Sequence, residues 1–254
     1  LVTGNLVIIE STCPVGTTEL VRDRMINEGR DVDGVHLTYC PERVLPGNIL
    51  EELTTNDRIV GGLSREGTEL ARELYSQITS GEIFETDVKT AELCKLAENS
   101  FRDVNIAFAN ELSMICETEG VDALEVIKLA NRHPRVEILD PGIGVGGHCI
   151  PVDPLFIVSR DHANSKLIQV ARDVNIKKTQ WIINRVKKAL CSRENSGIQV
   201  KKIVCLGASF KPDVDDVRDS PALEIVNSLR ELGFELIVVE PNVKQLASNV
   251  LGDL

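Results

Sequence analysis

Between Asp87 and about Glu119 the chain reads as one long helix, VKTAELCKLAENSFRDVNIAFANELSMICETE after the aspartate, and its neighbours must be arranged around it. At about 100° per residue, Leu93, Ala97, Phe101, Val104 and Phe108 fall on one side, with Lys95, Asn99 and Arg102 opposite. Three ligand-capable side chains on one stripe can line a pocket, and the solvated face of an amphipathic helix explains them too. The stripe turns apolar at Ile106, which argues against its lying wholly in water.

Ahead of this helix, strands and helices alternate. Residues 6–10 (LVIIE) form a continuous apolar run of the kind seen in buried parallel strands. The turn STCPVGTT follows, with a helix from near Thr17. Val35–Cys40 leads into PERVLPG at 41–47, and 58–62 and 82–85 complete the pattern. The expectation is half of a doubly wound α/β sheet. Behind the long helix come a shorter one (Asp122–Asn131) and a second long one (about Ser165–Cys191). A polar linker at Ser192–Gly197 precedes a renewed strand–turn–helix from Lys202. The second long helix carries Leu167, Val170, Val174, Trp181, Ile182 and Val186, more apolar residues than one exposed helix needs, which suggests packing on another long helix, of this chain or of a second subunit.

The stretch with the most chemistry lies between those helices: PGIGVGGHCIPVDP, residues 141–154. Gly142, Gly144, Gly146 and Gly147 allow close approach of backbone, and Cys149 and Asp153 follow at once. A dinucleotide fingerprint is rejected here, because the run follows polar loop residues rather than a strand and no helix opens straight after it. Cys149 is then either a nucleophilic thiol at a site or a buried cysteine in a tight turn. At Thr12 and its neighbours, hydroxyls and free N–H groups past a strand suit a nucleotide ribose, or merely cap a helix. Arg132, His133 and Arg135 form a basic knot that can hold pyrophosphate or complement a helix C-terminus.

The 254 residues allow two or three modest domains, and the net charge of -11 argues against nucleic acid and anionic membranes as partners. No apolar run approaches bilayer-spanning length, and no signal peptide opens the chain. Seven spaced cysteines without a C-x-x-C pair argue against disulfides and metal, and for a reducing cytoplasm. Both ends look cut: Leu1 lies just before one strand-like run and Leu254 just after another, at 235–240.

Taken together, STCPVGTTE, PERVLPG, KLAEN, GGHCIPVDP and SFKPDVDDVRDSP resemble the nucleotide-sugar 6-dehydrogenases, the UDP-glucose and UDP-N-acetylmannosamine dehydrogenase group, over essentially the whole chain. The resemblance implies a partial Rossmann-like NAD domain (1–86), a central all-α dimerisation domain with the catalytic loop (87–196) and part of an α/β UDP-binding domain (197–254). It implies NAD as cofactor, a UDP-sugar as substrate and a homodimer through the long helices. By the same likeness Cys149 is the catalytic thiol, Lys95 its cationic partner, and Asn99 and Asp153 position water and the substrate oxygen. Glu42 matches an acid that assists thioester hydrolysis. Thr12 and Arg218 touch NAD, and Phe210 and Lys211 hold the UDP-sugar.

Val152 stands where UDP-glucose dehydrogenases usually have a lysine, so the chain looks more like the N-acetylmannosamine branch. That likeness adds Arg43, Val44, Arg102, His133, Arg135 and Gly146 to the sugar site. It implies UDP-N-acetyl-D-mannosamine as substrate, ahead of the N-acetylglucosamine, N-acetylgalactosamine and glucose analogues. The family's amino-terminal strand–turn–helix with G-x-G-x-x-G, and the end of its UDP domain, are missing, so the chain by itself is expected to be inactive. The alternatives are a two-electron β-hydroxyacid dehydrogenase, which needs no thiol, and a non-catalytic assembly module.

Overall fold

The computed structural model describes residues 1–44, 49–200 and 202–243. The tail of the PERVLPG motif, Leu45–Gly47, and the final residues of the expected third domain lie outside them. The chain forms two compact units: Leu1–Asn99 with Leu155–His162, and Ser100–Pro154 with Ala163–Leu254.

The first unit is built on a four-stranded sheet in the order β1-β2-β3-β4: β1 (Leu6–Ile9), β2 (His36–Tyr39), β3 (Arg58–Gly62) and β4 (Ile83–Asp87). β1 pairs parallel with β2 from Leu6↔His36 to Ile9↔Tyr39, and β3 pairs parallel with β4. Doubly wound sheets are mostly parallel, and this one is mixed: β2 and β3 run antiparallel, with Thr38 opposite Gly62. Apolar runs report burial, not strand direction. β2 is buried along its whole length. Tyr39, Val88, Ala91 and Cys13 pack together, while Cys40, Val60, Ala71 and Tyr75 form another cluster.

Helices α1 (Thr17–Asn27), α2 (Ile49–Thr55) and α3 (Arg65–Ser76) connect the strands. α3 starts in the ordinary way, Ser64 accepting from Gly67 N–H at 3.1 Å. α1 does not: its N-cap is Gly16 at φ 91, and no side chain of its own turn caps it.

The long helix α4 spans Val88–Glu119, so the boundary between the units falls within it. In the second unit α5 (Ala123–Ala130) is capped by Asp122, whose carboxylate accepts from Leu124 N–H. The helix α6 (Asp153–Arg160), absent from the sequence expectation, opens on Asp153-Pro154, a proline in the first helical turn where its missing N–H costs nothing. α7 runs from Lys166 to Asn195, so most of the expected linker at 192–197 is helical and only Ser196 and Gly197 turn away. β5 (Lys202–Leu206) and β6 (Glu235–Val239) pair parallel, joined by α8 (Pro221–Glu231). Val226, Leu229 and Val238 form the centre of that layer, with Ile183 of α7 against it.

The apolar stripe of α4 does not enter either core. Leu93, Phe101, Phe108 and Ile115 are exposed, Phe101 by 69 %. The buried face of the helix carries Glu92, Asn99, Ser100, Asp103 and Asn110 beside Ala91, Leu96 and Ala107. These polar groups can be buried because most have internal partners. Asn110 Nδ2 donates to Asn175 Oδ1 at 2.9 Å, and Arg172 Nη1 donates to Asp103 Oδ1 at 2.6 Å.

Candidate active site

In the second unit the glycine-rich loop is a pinned structure. Gly142 N–H donates to the buried Asn110 Oδ1 at 2.8 Å, Thr179 Oγ1 donates to Ile143 O at 2.9 Å, and Gly147 N–H donates to Arg218 O at 3.1 Å. No strand precedes the loop, and α6 opens only at Asp153, so it is not a dinucleotide turn. Sequence reasoning gives these glycines to ligand approach, but their immediate neighbours are protein. A Cβ at Gly146 would lie 2.6 Å from Asp219 O and 2.8 Å from Phe210 Cβ, and one at Gly147 would lie 2.8 Å from Phe210 Cε2. Gly147 also has φ 85, which a residue with a side chain rarely adopts. The glycines thus let the 208–221 turn dock on the loop, bringing Gly146, Phe210 and Arg218 together.

Just past that junction Cys149 is exposed. Its carbonyl accepts from Val152 and Asp153 N–H at 3.0 and 2.9 Å, turning the chain into α6. Asp153 is buried at the start of that helix, where a carboxylate faces the positive end of the dipole. Arg218 lies in the electrostatic field of the Cys149 sulfur, and Asp216 in that of His148. The Arg218 side chain is tied to Asp216, Nε to Oδ1 at 2.9 Å and Nη2 to Oδ2 at 2.6 Å. The guanidinium holds the Asp216 carboxyl down to about 2. Lys211 is exposed beside Phe210.

In the first unit the loop after β1 carries Thr12, half-buried. Several donors of this turn, expected to be free for a nucleotide, are taken. Gly16 N–H, Thr18 N–H and Thr18 Oγ1 all donate to the Glu92 carboxylate of α4, at 2.5, 2.9 and 2.8 Å. On the same helix Lys95 is half-buried and Asn99 buried. Glu42 Oε1 accepts from Arg43 N–H and Val44 N–H at 2.7 and 3.0 Å, so the carboxylate shapes its own loop. Arg43 Nη2 pairs with Glu98 at 2.8 Å, and its Nη1 donates to Asp57 O. Part of the guanidinium's charge is therefore already matched before any substrate arrives.

Arg102, three residues beyond Asn99 on α4, is exposed. His133 and Arg135 are exposed on a loop closed at both ends by amides. Asn131 exchanges hydrogen bonds with the backbone of Ile138, and Asn105 with Glu137 O and Leu139 N–H. One open cleft of about 510 Å³ in this unit is lined by Asp219, Ser220, Glu224 and Glu231, an acidic wall unsuited to phosphate.

The two units thus each gather part of the expected set. Thr12, Glu42, Arg43, Val44, Lys95 and Asn99 belong to the first, and Arg102, His133, Arg135, Gly146, Cys149, Asp153, Phe210, Lys211 and Arg218 to the second. Sequence reasoning passed over Glu92, Asn110, Thr179 and Asp216, which hold the loops in place. Only Asp216 left a trace, as the acid two residues before an arginine. Among the described residues no cluster of His, Cys, Asp and Glu could hold a metal ion, and no helix is long and apolar enough to cross a membrane.

Residues 1–79 match the profile of the NAD binding domain of the UDP-glucose/GDP-mannose dehydrogenase family, residues 89–177 that of its central domain, and residues 204–253 that of its UDP binding domain. A UDP-N-acetyl-D-mannosamine dehydrogenase of Campylobacter jejuni is 50% identical over 96% of the chain and 61% of its own length. An NDP-N-acetyl-D-galactosaminuronic acid dehydrogenase of Ralstonia nicotianae is 48% identical over 98% of the chain and 60% of its own. The structure of a UDP-D-ManNAc dehydrogenase from Pyrococcus horikoshii superposes with a TM-score of 0.88 at 42% identity, over 98% of this chain and 60% of that one. The chain thus spans about three fifths of the length of these relatives. On the match of its three segments, and on its likeness to these relatives, the chain belongs to the UDP-glucose/GDP-mannose dehydrogenase family.

Proposed function

We propose that the full-length protein oxidises the C6 alcohol of a UDP-N-acetylhexosamine, UDP-N-acetyl-D-mannosamine first, to the uronate, as a cytoplasmic homodimer. The observation that carries this reading is the Cys149 thiol, exposed at the end of a loop pinned by Asn110, Thr179 and the 208–221 turn. The relatives' names support the N-acetylhexosamine, and that of the Ralstonia protein keeps the galacto configuration as second candidate.

The residues fit NAD in part. Thr12, at the carboxyl end of β1, and the exposed Arg218 suit its nicotinamide half, whereas the pyrophosphate turn of the family is not found in this chain. When bound, NAD accepts the electrons of the two successive oxidations. The protein's part is then plain acid–base and nucleophilic chemistry. Water held near Lys95, Asn99 and Asp153 takes the alcohol proton. The Cys149 thiolate adds to the aldehyde carbon, giving a thiohemiacetal whose oxygen the Lys95 ammonium stabilises. After the second oxidation the species on sulfur is a thioester. Water attacks it, with Glu42 assisting, and the thiolate leaves. Phe210, Lys211, Arg43, Val44, Arg102, His133, Arg135 and Gly146 contribute to holding the UDP-sugar.

The exposed apolar stripe of α4, Leu93, Phe101, Phe108 and Ile115, with Leu167 and Val170 of α7, supports a dimer that covers it. The parts 1–86, 87–196 and 197–254 serve cofactor, catalytic loop with dimerisation, and UDP, respectively.

The test is a panel of UDP-N-acetylhexosamines with the full-length protein. Two NADH per sugar are expected, with UDP-N-acetyl-D-mannosamine the fastest. Cys149→Ser should lower net turnover by about three orders of magnitude or more, as loss of a covalent nucleophile does elsewhere. A single NADH per sugar, unaffected by Cys149→Ser, would instead point to a two-electron dehydrogenase. The 254-residue chain alone should produce no NADH.

A further inference from the structure

Glu92 is fully buried, yet it forms no ion pair among the described residues. Its donors all come from the start of α1: Gly16 N–H, Thr18 N–H and Thr18 Oγ1. Both main-chain donors belong to the N-terminal groups that a helix leaves unpaired, and Gly16 is the left-handed N-cap with no side-chain cap of its own. The carboxylate therefore does the work of a missing cap, from a residue 74 to 76 positions away in sequence. It also occupies the positive end of the α1 dipole, where an anionic ligand would otherwise bind.

Glu92 stands three residues before Lys95 and seven before Asn99 on α4. One end of its hydrogen-bond set is thus the helix that carries two proposed catalytic groups. The other is the 11–18 turn, which carries Thr12, the proposed cofactor contact. We propose that Glu92 is a positioning residue, fixing the 11–18 turn against α4 so that the cofactor edge and the Lys95–Asn99 stripe keep one register. This rests on the dehydrogenase reading for its consequence in catalysis, although the effect on cofactor affinity can be read without turnover.

Glu92→Gln keeps the shape, but its amide NH2 can accept nothing from Gly16 or Thr18, so at least one donor is orphaned. In the full-length protein, calorimetry with NADH and with UDP reads the two sites separately. A lost hydrogen bond to a buried charge corresponds to about tenfold or more in NADH affinity, with UDP affinity held within about twofold. The KM for NAD should rise by more than that for the UDP-sugar, and amide exchange at Gly16 and Thr18 should speed up. Thr18→Val, which removes only the hydroxyl, should show the same NADH-selective loss in smaller measure and covers the case in which the glutamine variant does not fold. A fall in thermal stability with both affinities unchanged makes Glu92 a structural cap only and overturns the proposal, as does an equal loss of NADH and UDP. If the wild type binds NADH but oxidises no sugar of the panel, the dehydrogenase reading fails while the affinity comparison still decides the role of Glu92.

Discussion

Two buried carboxylates on α4, about three turns apart, solve the same problem in opposite ways. Glu92, in the first unit, is held by two backbone amides and a hydroxyl at the head of another helix. Asp103, in the second, is held by the side chains of α7: Arg172 Nη1 at 2.6 Å and Asn175 Nδ2 at 2.7 Å. Both reach the same oxygen, Oδ1, and Oδ2 has no hydrogen-bond partner among the described residues. Burial pushes the Asp103 carboxyl above the usual carboxylate range, even though Arg172 and Asn175 draw it down. The difference teaches that backbone donors can hold a charge without importing another. An ion pair imports a second charge and desolvates both.

The largest effect should come from separating the pair. Arg172→Met leaves Asp103 buried without its cation and should cost about 3–5 kcal/mol of unfolding free energy, measured by urea titration. Replacing both members, Asp103→Leu with Arg172→Met, should recover most of that loss, because the desolvation of two charges goes with them. A double variant as unstable as the single one would mean that the pair is worth more than the groups it desolvates.

A smaller effect should appear with pH. Since the folded-state pKa of Asp103 lies above its unfolded value, the native state binds the proton more tightly. Its contribution is fully present below the unfolded value, about 3.9, and is lost as pH rises through the folded one. Urea midpoints of wild type should therefore fall relative to those of Asp103→Asn as pH is raised from about 4 towards neutrality. A constant offset between the two would show that the second oxygen is satisfied in solution.

These two carboxylates also mark where sequence reading stops. The strands, the long helices and the place of the glycine-rich thiol loop were legible, because apolar periodicity and glycine density are local signals; the exposure of Cys149 was not, since the residues alone left a buried thiol equally open. Of the ligand-capable stripe, Asn99 is buried and Arg102 exposed, a difference that helical spacing does not show. Glu92, Asp103 and Asn110 read as an ordinary polar helix face, since their partners Thr18, Arg172 and Asn175 lie more than sixty positions away. Likewise helical spacing puts Phe101 and Phe108 on one stripe but does not show that the stripe faces outwards. The reversal of direction between β2 and β3 had no signal at all, since the residue pattern of a short strand such as HLTY does not encode its direction.

The smallest effect tests the quieter carboxylate. Thr18→Val keeps the branched shape and the helical backbone but deletes the one side-chain donor to Glu92 Oε1, leaving the amide of residue 18 on that oxygen and Gly16 N–H on the other. Both carboxylate oxygens then remain satisfied, so the loss should be only about 1 kcal/mol, well under that of Arg172→Met. A loss as large as the arginine's would mean that the hydroxyl, rather than the helix terminus, carries the Glu92 charge. In that event α1 would be anchored by one side chain, and the contrast between the two halves of α4 would disappear.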